Sequence, residues 1–187
     1  MNQQQEILVR VQATPNPTAW KFVLNKPVLN QGKATYSSIE EAENNHLANA
    51  LFQIPQVKQV HYFQNVITVT HTFDADSQDI KAQVCSVIQT RYVNHNPDQT
   101  PQDEKAISRQ NLPPDIQAIE EILDKTIRPG LQGDGGDIAV VKYEENKLYV
   151  SYQGACGTCP SSTAGTLSAI EGILQEQFKP DIQVIPL

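Results

Sequence analysis

The alternation of apolar and polar positions divides this chain into short strands and a few amphipathic helices. Ile7, Val9 and Val11 alternate with Leu8, Arg10 and Gln12, the period of a first strand. Thr14-Pro15-Asn16-Pro17 breaks it, and Trp20-Lys21-Phe22-Val23-Leu24 reads as a second strand, stopped by Pro27. Gln31-Gly32 marks a turn before a short third strand near Ala34–Tyr36. Ser38 with Glu41 three residues later has the form of a capping box. The helix it opens carries Ala42, Leu47, Ala50 and Leu51 and stops before Pro55. Val57–Phe63 and Val66–Thr72 alternate around Gln64-Asn65, a hairpin pattern. Ser77 then caps a helix that turns Ile80, Val84, Val87 and Ile88 inward. This first unit ends near His95.

From Asn94 to Leu112 the pattern lapses. Only Ala106, Ile107 and Leu112 interrupt a polar run, read as a linker with a helical turn around Ile107. A flexible coil of this length reaches on the order of 25 Å. After Pro113-Pro114 periodicity returns. Ile116, Ile119, Ile122, Leu123 and Ile127 form a helical stripe, stopped by Pro129-Gly130. A glycine-dense loop, Gln132–Asp137, precedes two strands, Asp137–Tyr143 and Lys147–Tyr152, joined at Glu144-Glu145-Asn146. A helix follows Pro160 with Leu167, Ile170, Ile173, Leu174 and Phe178 on one face, and Ile182–Ile185 closes as an edge strand. The fold class expected is α+β: two small domains, each a small sheet with two helices, the second in the order α-β-β-α-β. The boundaries are 1–95, a polar linker at 96–112, and 113–187.

Composition narrows the function. Of 187 residues, 39% are hydrophobic and 19% charged, and the three cysteines are too few for a disulfide framework, which points to a reducing cytoplasm. The start, Met1–Glu6, lacks the regions of a signal peptide, and no apolar run reaches the roughly 20 residues of a membrane span. The whole net charge of −7 lies after residue 97. That argues against nucleic acid or an anionic membrane as partner and leaves basic protein partners or plain solubility.

The candidate chemistry sits in Gly154-Ala155-Cys156-Gly157-Thr158-Cys159-Pro160-Ser161-Ser162. Pro160 suits a first helical position, which puts Cys159 at the N-cap, where the helix dipole favours a thiolate. A tetrahedral zinc site takes four ligands, and an iron–sulfur cluster takes four thiolates. The second half has two cysteines and no histidine, because His46, His61, His71 and His95 all lie in the first. Pairing two chains supplies Cys₄. A dithiol redox pair, interfacial zinc and two inert half-buried cysteines stay open as alternatives. Gly133-Asp134-Gly135-Gly136-Asp137 lacks the lysine of a phosphate loop and reads as backbone turning or as room for close packing against the cysteine loop. Asp134 and Asp137 are hard donors that match soft thiolates badly. Cys85 and Trp20 read as packing residues, and His61 and His71 as solvent-facing strand residues.

Ile127 to Ile138, the cysteine loop, Thr166-Leu167 and Gly172-Ile173-Leu174 together resemble the C-terminal domain of NifU, the Nfu-type iron–sulfur domain. Thr14–Phe22, Glu41-Ala42, Leu47-Ala48, Leu51–Ile54 and Val66–Thr70 resemble the N-terminal domain of Nfu proteins, with Thr18 and Trp20 where that family commonly has Asn and Leu. The resemblance implies a scaffold or carrier rather than an enzyme. Cys156 and Cys159 of two chains would hold one [4Fe-4S] cluster in a homodimer and pass it to apo iron–sulfur clients. Assembly proteins are the other implied partners, with docking as the role of the N-terminal domain. A dithiol oxidoreductase or a zinc-bridged dimer using the same pair is the alternative.

Overall fold

A computed structural model of the chain describes residues 6–98, 112–156 and 160–187, and at 160–164 the backbone alone. The chain divides into two compact units, Met1–Pro101 and Gln102–Leu187. Both are α+β. Of the linker expected at 96–112, residues 99–111, with the helical turn around Ile107, lie outside the described residues.

The first unit is a five-stranded antiparallel sheet in the order β1-β2-β5-β4-β3. Its strands are β1 (Val9–Ala13), β2 (Ala19–Leu24), β3 (Lys33–Tyr36), β4 (Val57–Phe63) and β5 (Val66–His71). α1 (His46–Phe52) and α2 (Ser77–Arg91) contribute the helical side of the core, with Leu47, Leu51, Ile80, Val84 and Ile88 buried alongside Phe22, Val60, Tyr62, Ile67 and Val69. The β4–β5 turn places Gln64 at φ 52°.

Three local expectations change. The helix does not begin at Ser38. Glu41 accepts from the Ser37 N–H and donates its own N–H to Ser38 Oγ, but the chain then turns until Asn45. Asn45 is the N-cap, its side chain accepting from Ala48 N at 2.9 Å. Likewise Asp76, not Ser77, caps α2, because its carboxylate reaches the N–H groups of Gln78 and Asp79. Finally, the first unit runs past residue 95: Asn30 donates its backbone N–H to the Pro97 carbonyl at 3.0 Å and its side-chain amide to Asp98 at 2.6 Å.

The second unit begins with α3 (Pro114–Thr126), where proline at the first turn costs no hydrogen bond. The stop expected at Pro129-Gly130 is instead a bend. Ile127 breaks the axis and a short α4 (Arg128–Gly133) follows, with Pro129 in its first turn. β6 (Gly136–Glu144) and β7 (Lys147–Gly154) form an antiparallel hairpin whose turn residues Glu145 and Asn146 have φ of 49° and 61°. α5 (Pro160–Gln177) crosses back, and β8 (Gln183–Pro186) pairs parallel to β7, giving the order β6-β7-β8. Glu171 of α5 accepts the Val184 N–H at 2.9 Å, which ties the edge strand to the helix. Ile119, Leu123, Ile138, Leu148, Val150, Ile170 and Leu174 make the core.

Candidate functional site

The site is built where β6 begins and β7 ends. Gly135, at φ 81°, turns the chain out of α4, and Gly154, at φ 62°, turns it out of β7. Between them Gly136 pairs with Gly154, and Ala155 N donates to the Gly135 carbonyl at 3.1 Å. A side chain at 136 has nowhere to go: an ideal Cβ there would lie 2.3 Å from Cys156 Sγ and 3.0 Å from Cys156 N. The two readings of the glycine loop therefore divide between neighbouring residues. Gly135 supplies the backbone conformation and Gly136 the close approach. Cys156 itself is half-buried, so its sulfur is backed by strand ends yet reachable.

Beneath this corner lies an ion cluster that the sequence reading did not assign. Arg128 is 4% exposed. Its Nη1 contacts Glu120 Oε2 at 2.7 Å and also Asp124 Oδ1. Its Nε and Nη2 donate to the Ile138 carbonyl at 3.3 and 3.2 Å, and Nε lies 3.5 Å from Asp137 Oδ1. Asp137 is fully buried and also accepts from Gln132 Nε2 and from the Ile138 N–H. One guanidinium thus locks α3, α4 and the first residues of β6 together, which fixes the strand against which Cys156 rests. Burial opposes its charge, but Glu120 and Asp124 outweigh that and hold the guanidinium above its ordinary pKa. The available signal was a basic residue eight and four positions after two acids, at the end of an apolar stripe. Asp137 is spent on this cluster rather than offered to a metal.

Tyr152 is the other group at the corner. Burial first, and the electrostatic influence of Cys156 second, push its phenol up to about 12.

Cys159, with Gly157 and Thr158, lies outside the described residues, so the expected N-cap geometry and the Cys156–Cys159 pairing do too. α5 begins at Pro160, as its sequence predicts. Among the described residues no three His, Cys, Asp or Glu side chains converge as a metal site, and no helix is long and apolar enough to cross a membrane. The donor that is described, the Cys156 thiol, suits a soft metal or an iron–sulfur cluster.

The remaining candidates serve the first unit. His61 and His71 are not solvent-facing. They are 1% and 4% exposed, with His61 Nδ1 hydrogen-bonded to Thr35 Oγ1 at 2.8 Å and His71 Nδ1 to the Thr72 carbonyl. Cys85 packs against the core, and burial raises its thiol pKa, which keeps it protonated and unreactive. Trp20 is only half-buried, with the Lys81 ammonium 4.4 Å from its ring centre.

Comparison with known proteins accounts for both halves. Residues 119–185 match the NifU-like domain, and residues 9–95 match the family described as scaffold protein Nfu/NifU N terminal. NifU-like protein 5, mitochondrial, of Arabidopsis thaliana is 32% identical over 93% of this chain and 66% of its own length. The Homo sapiens protein named NFU1 iron-sulfur cluster scaffold homolog, mitochondrial, is 31% identical over 90% of this chain and 67% of its own. The chain thus spans about two thirds of the length of these relatives. A solution structure of a NifU-like protein from Saccharomyces cerevisiae, 21% identical, overlays on 52% of this chain and 87% of that one with a TM-score of 0.46.

Proposed function

From the premise that the chain belongs to the Nfu/NifU family, we propose that it is an iron–sulfur cluster scaffold that assembles a [4Fe-4S] cluster and hands it to apo-proteins. The observation that carries this is the setting of Cys156, half-buried at the end of β7 with its sulfur against Gly136. Such a sulfur is held in place but not sealed off. With Cys159 it gives two thiolates in a unit without histidine, so two chains supply the four ligands that a cluster takes.

On this reading the cluster is cargo at a seam between two copies. It is bound through two thiolates from each side, and incoming client thiolates replace them in pairs. The acidic second half repels an anionic cluster and favours release. The N-terminal unit docks clients or assembly proteins. A cytoplasmic location belongs to the same proposal.

Anaerobic reconstitution with ferrous iron and sulfide tests it, followed by absorption and Mössbauer spectra and by size before and after. The expected result is four irons and four sulfides per two chains, with the dimer forming on loading. A full complement retained by the C156S/C159S double variant would overturn it. One zinc per two chains without labile sulfide would assign the pair to structural zinc instead.

A further inference from the structure

The register of β6 and β7 places one aromatic side chain beside Cys156. Gly136 pairs with Gly154 and Ile138 with Tyr152, so Tyr152 and the missing side chain of Gly136 belong to the same sheet face. They are diagonal neighbours, with Cα atoms about 7–8 Å apart, a span that long side chains cover. The volume a Gly136 Cβ would take is held by Cys156 Sγ. Tyr152 therefore borders the niche in which that sulfur sits.

The Tyr152 hydroxyl is also unmatched. Its oxygen is buried and makes no hydrogen bond among the described residues. A buried hydroxyl without a partner is costly. Gln153 Oε1 is an unmatched acceptor next to it in sequence. It cannot serve, because successive strand residues face opposite sides of the sheet. The acceptor on Tyr152's own face is the sulfur.

Resting on the cluster-binding reading above, we infer that the Tyr152 hydroxyl donates a hydrogen bond to the Cys156 sulfur of the loaded chain and is a positioning residue for the cluster. A phenol O–H is a hydrogen-bond donor. A donor on a ligating sulfur withdraws electron density from it, raises the reduction potential and slows ligand exchange. Tyr152 thereby sets how firmly the cargo is held before a client takes it.

The test compares the full-length chain with its Y152F and Y152L variants, each reconstituted anaerobically with ferrous iron and sulfide. Resonance Raman bands of the Fe–S(Cys) stretches shift in D₂O for the wild type and shift less for both variants. Iron passes to a chelator about tenfold faster from Y152F than from wild type, the scale usual for loss of an outer-shell partner, and the reduction potential falls. Y152L matches Y152F in these properties. Without cluster, Y152F unfolds at the same temperature as wild type or higher, since it removes only an unmatched hydroxyl. Equal D₂O shifts and release rates in wild type and Y152F would overturn the inference and leave the cluster reading standing. So would a release rate changed in Y152L alone, the mark of ring packing. An apo Y152F that unfolds several degrees lower would mean that the hydroxyl already has a partner. A wild type that takes up no cluster would instead remove the reading on which the inference rests.

Discussion

A Cβ on Gly136 would sit 2.3 Å from the sulfur of Cys156. Two strand ends and a reactive side chain thus occupy space that any other residue at 136 would claim. The obstacle is the sulfur and backbone of the cysteine loop, so the loop is what must yield. Gly136→Ala is expected to cost about 1–3 kcal/mol, the usual scale of overpacking, and to lower cluster loading more than the loss of fold explains. Thermal unfolding of the apo-protein gives the first quantity, and iron and sulfide per chain after reconstitution gives the second. An alanine variant that loads like wild type would show that the cysteine loop moves aside without consequence.

Arg128 is ion-paired with Glu120, Asp124 and Asp137. Arg128→Met leaves the fully buried Asp137 carboxylate and the Ile138 carbonyl without it, and breaking a buried pair in this way costs about 3–5 kcal/mol. Arg128→Lys recovers little, because one ammonium cannot reach both faces of the cluster. The check is urea unfolding of the full chain, followed by far-ultraviolet circular dichroism. Trp20, the only tryptophan, reports on the first unit, and its fluorescence transition is expected to stay where it was.

Acid acts on the first unit through His95. Its Nε2 is 2.6 Å from the Val28 carbonyl, and its ring packs against Tyr62 and Tyr92. Burial holds its pKa below the ordinary value, with the Val28 carbonyl working the other way. The unfolded chain therefore takes up a proton near pH ~6.5 while the folded chain still resists. Stability from this group is complete above that pH and declines as pH falls below it. Urea midpoints read by Trp20 fluorescence are expected to drop between about pH 7.5 and 5.5, and His95→Gln should flatten that drop. An unchanged pH slope in the variant would assign the acid sensitivity elsewhere.

Asn45 and Ser38 compete for the start of α1. Asn45 is 3% exposed, caps Ala48 and donates to the Tyr36 hydroxyl at 3.2 Å. Asn45→Ala should cost about 1–2 kcal/mol. Ser38→Ala, at an exposed turn, should stay within about 0.5 kcal/mol. Equal losses would return the helix start to Ser38.

The strands were readable because apolar and polar residues alternate in short segments such as Val66–His71, although both rows of that strand are buried. The helix starts were less so. Ser38 and Glu41 make capping-box bonds without a helix behind them, since such bonds also stabilise an isolated turn. Periodicity separates the faces of a strand but does not say whether either is wet, so His61 reads as solvent-facing although it is buried beside Thr35. At the candidate site the cysteines and glycines could be read as local spacings. Arg128 and Tyr152 could not, because their roles depend on register and on residues four to sixteen positions away.

The parallel pairing of β7 with β8 bears on how the chain is made. β7, the middle strand, carries Cys156 at its end, but one of its neighbours is Gln183–Pro186. During translation β6 and β7 can zip as a local hairpin, whereas the parallel edge waits for the α5 crossover. A nascent chain that stalls before Gln183 therefore displays an open strand edge beside a thiol, the combination most exposed to mispairing and oxidation.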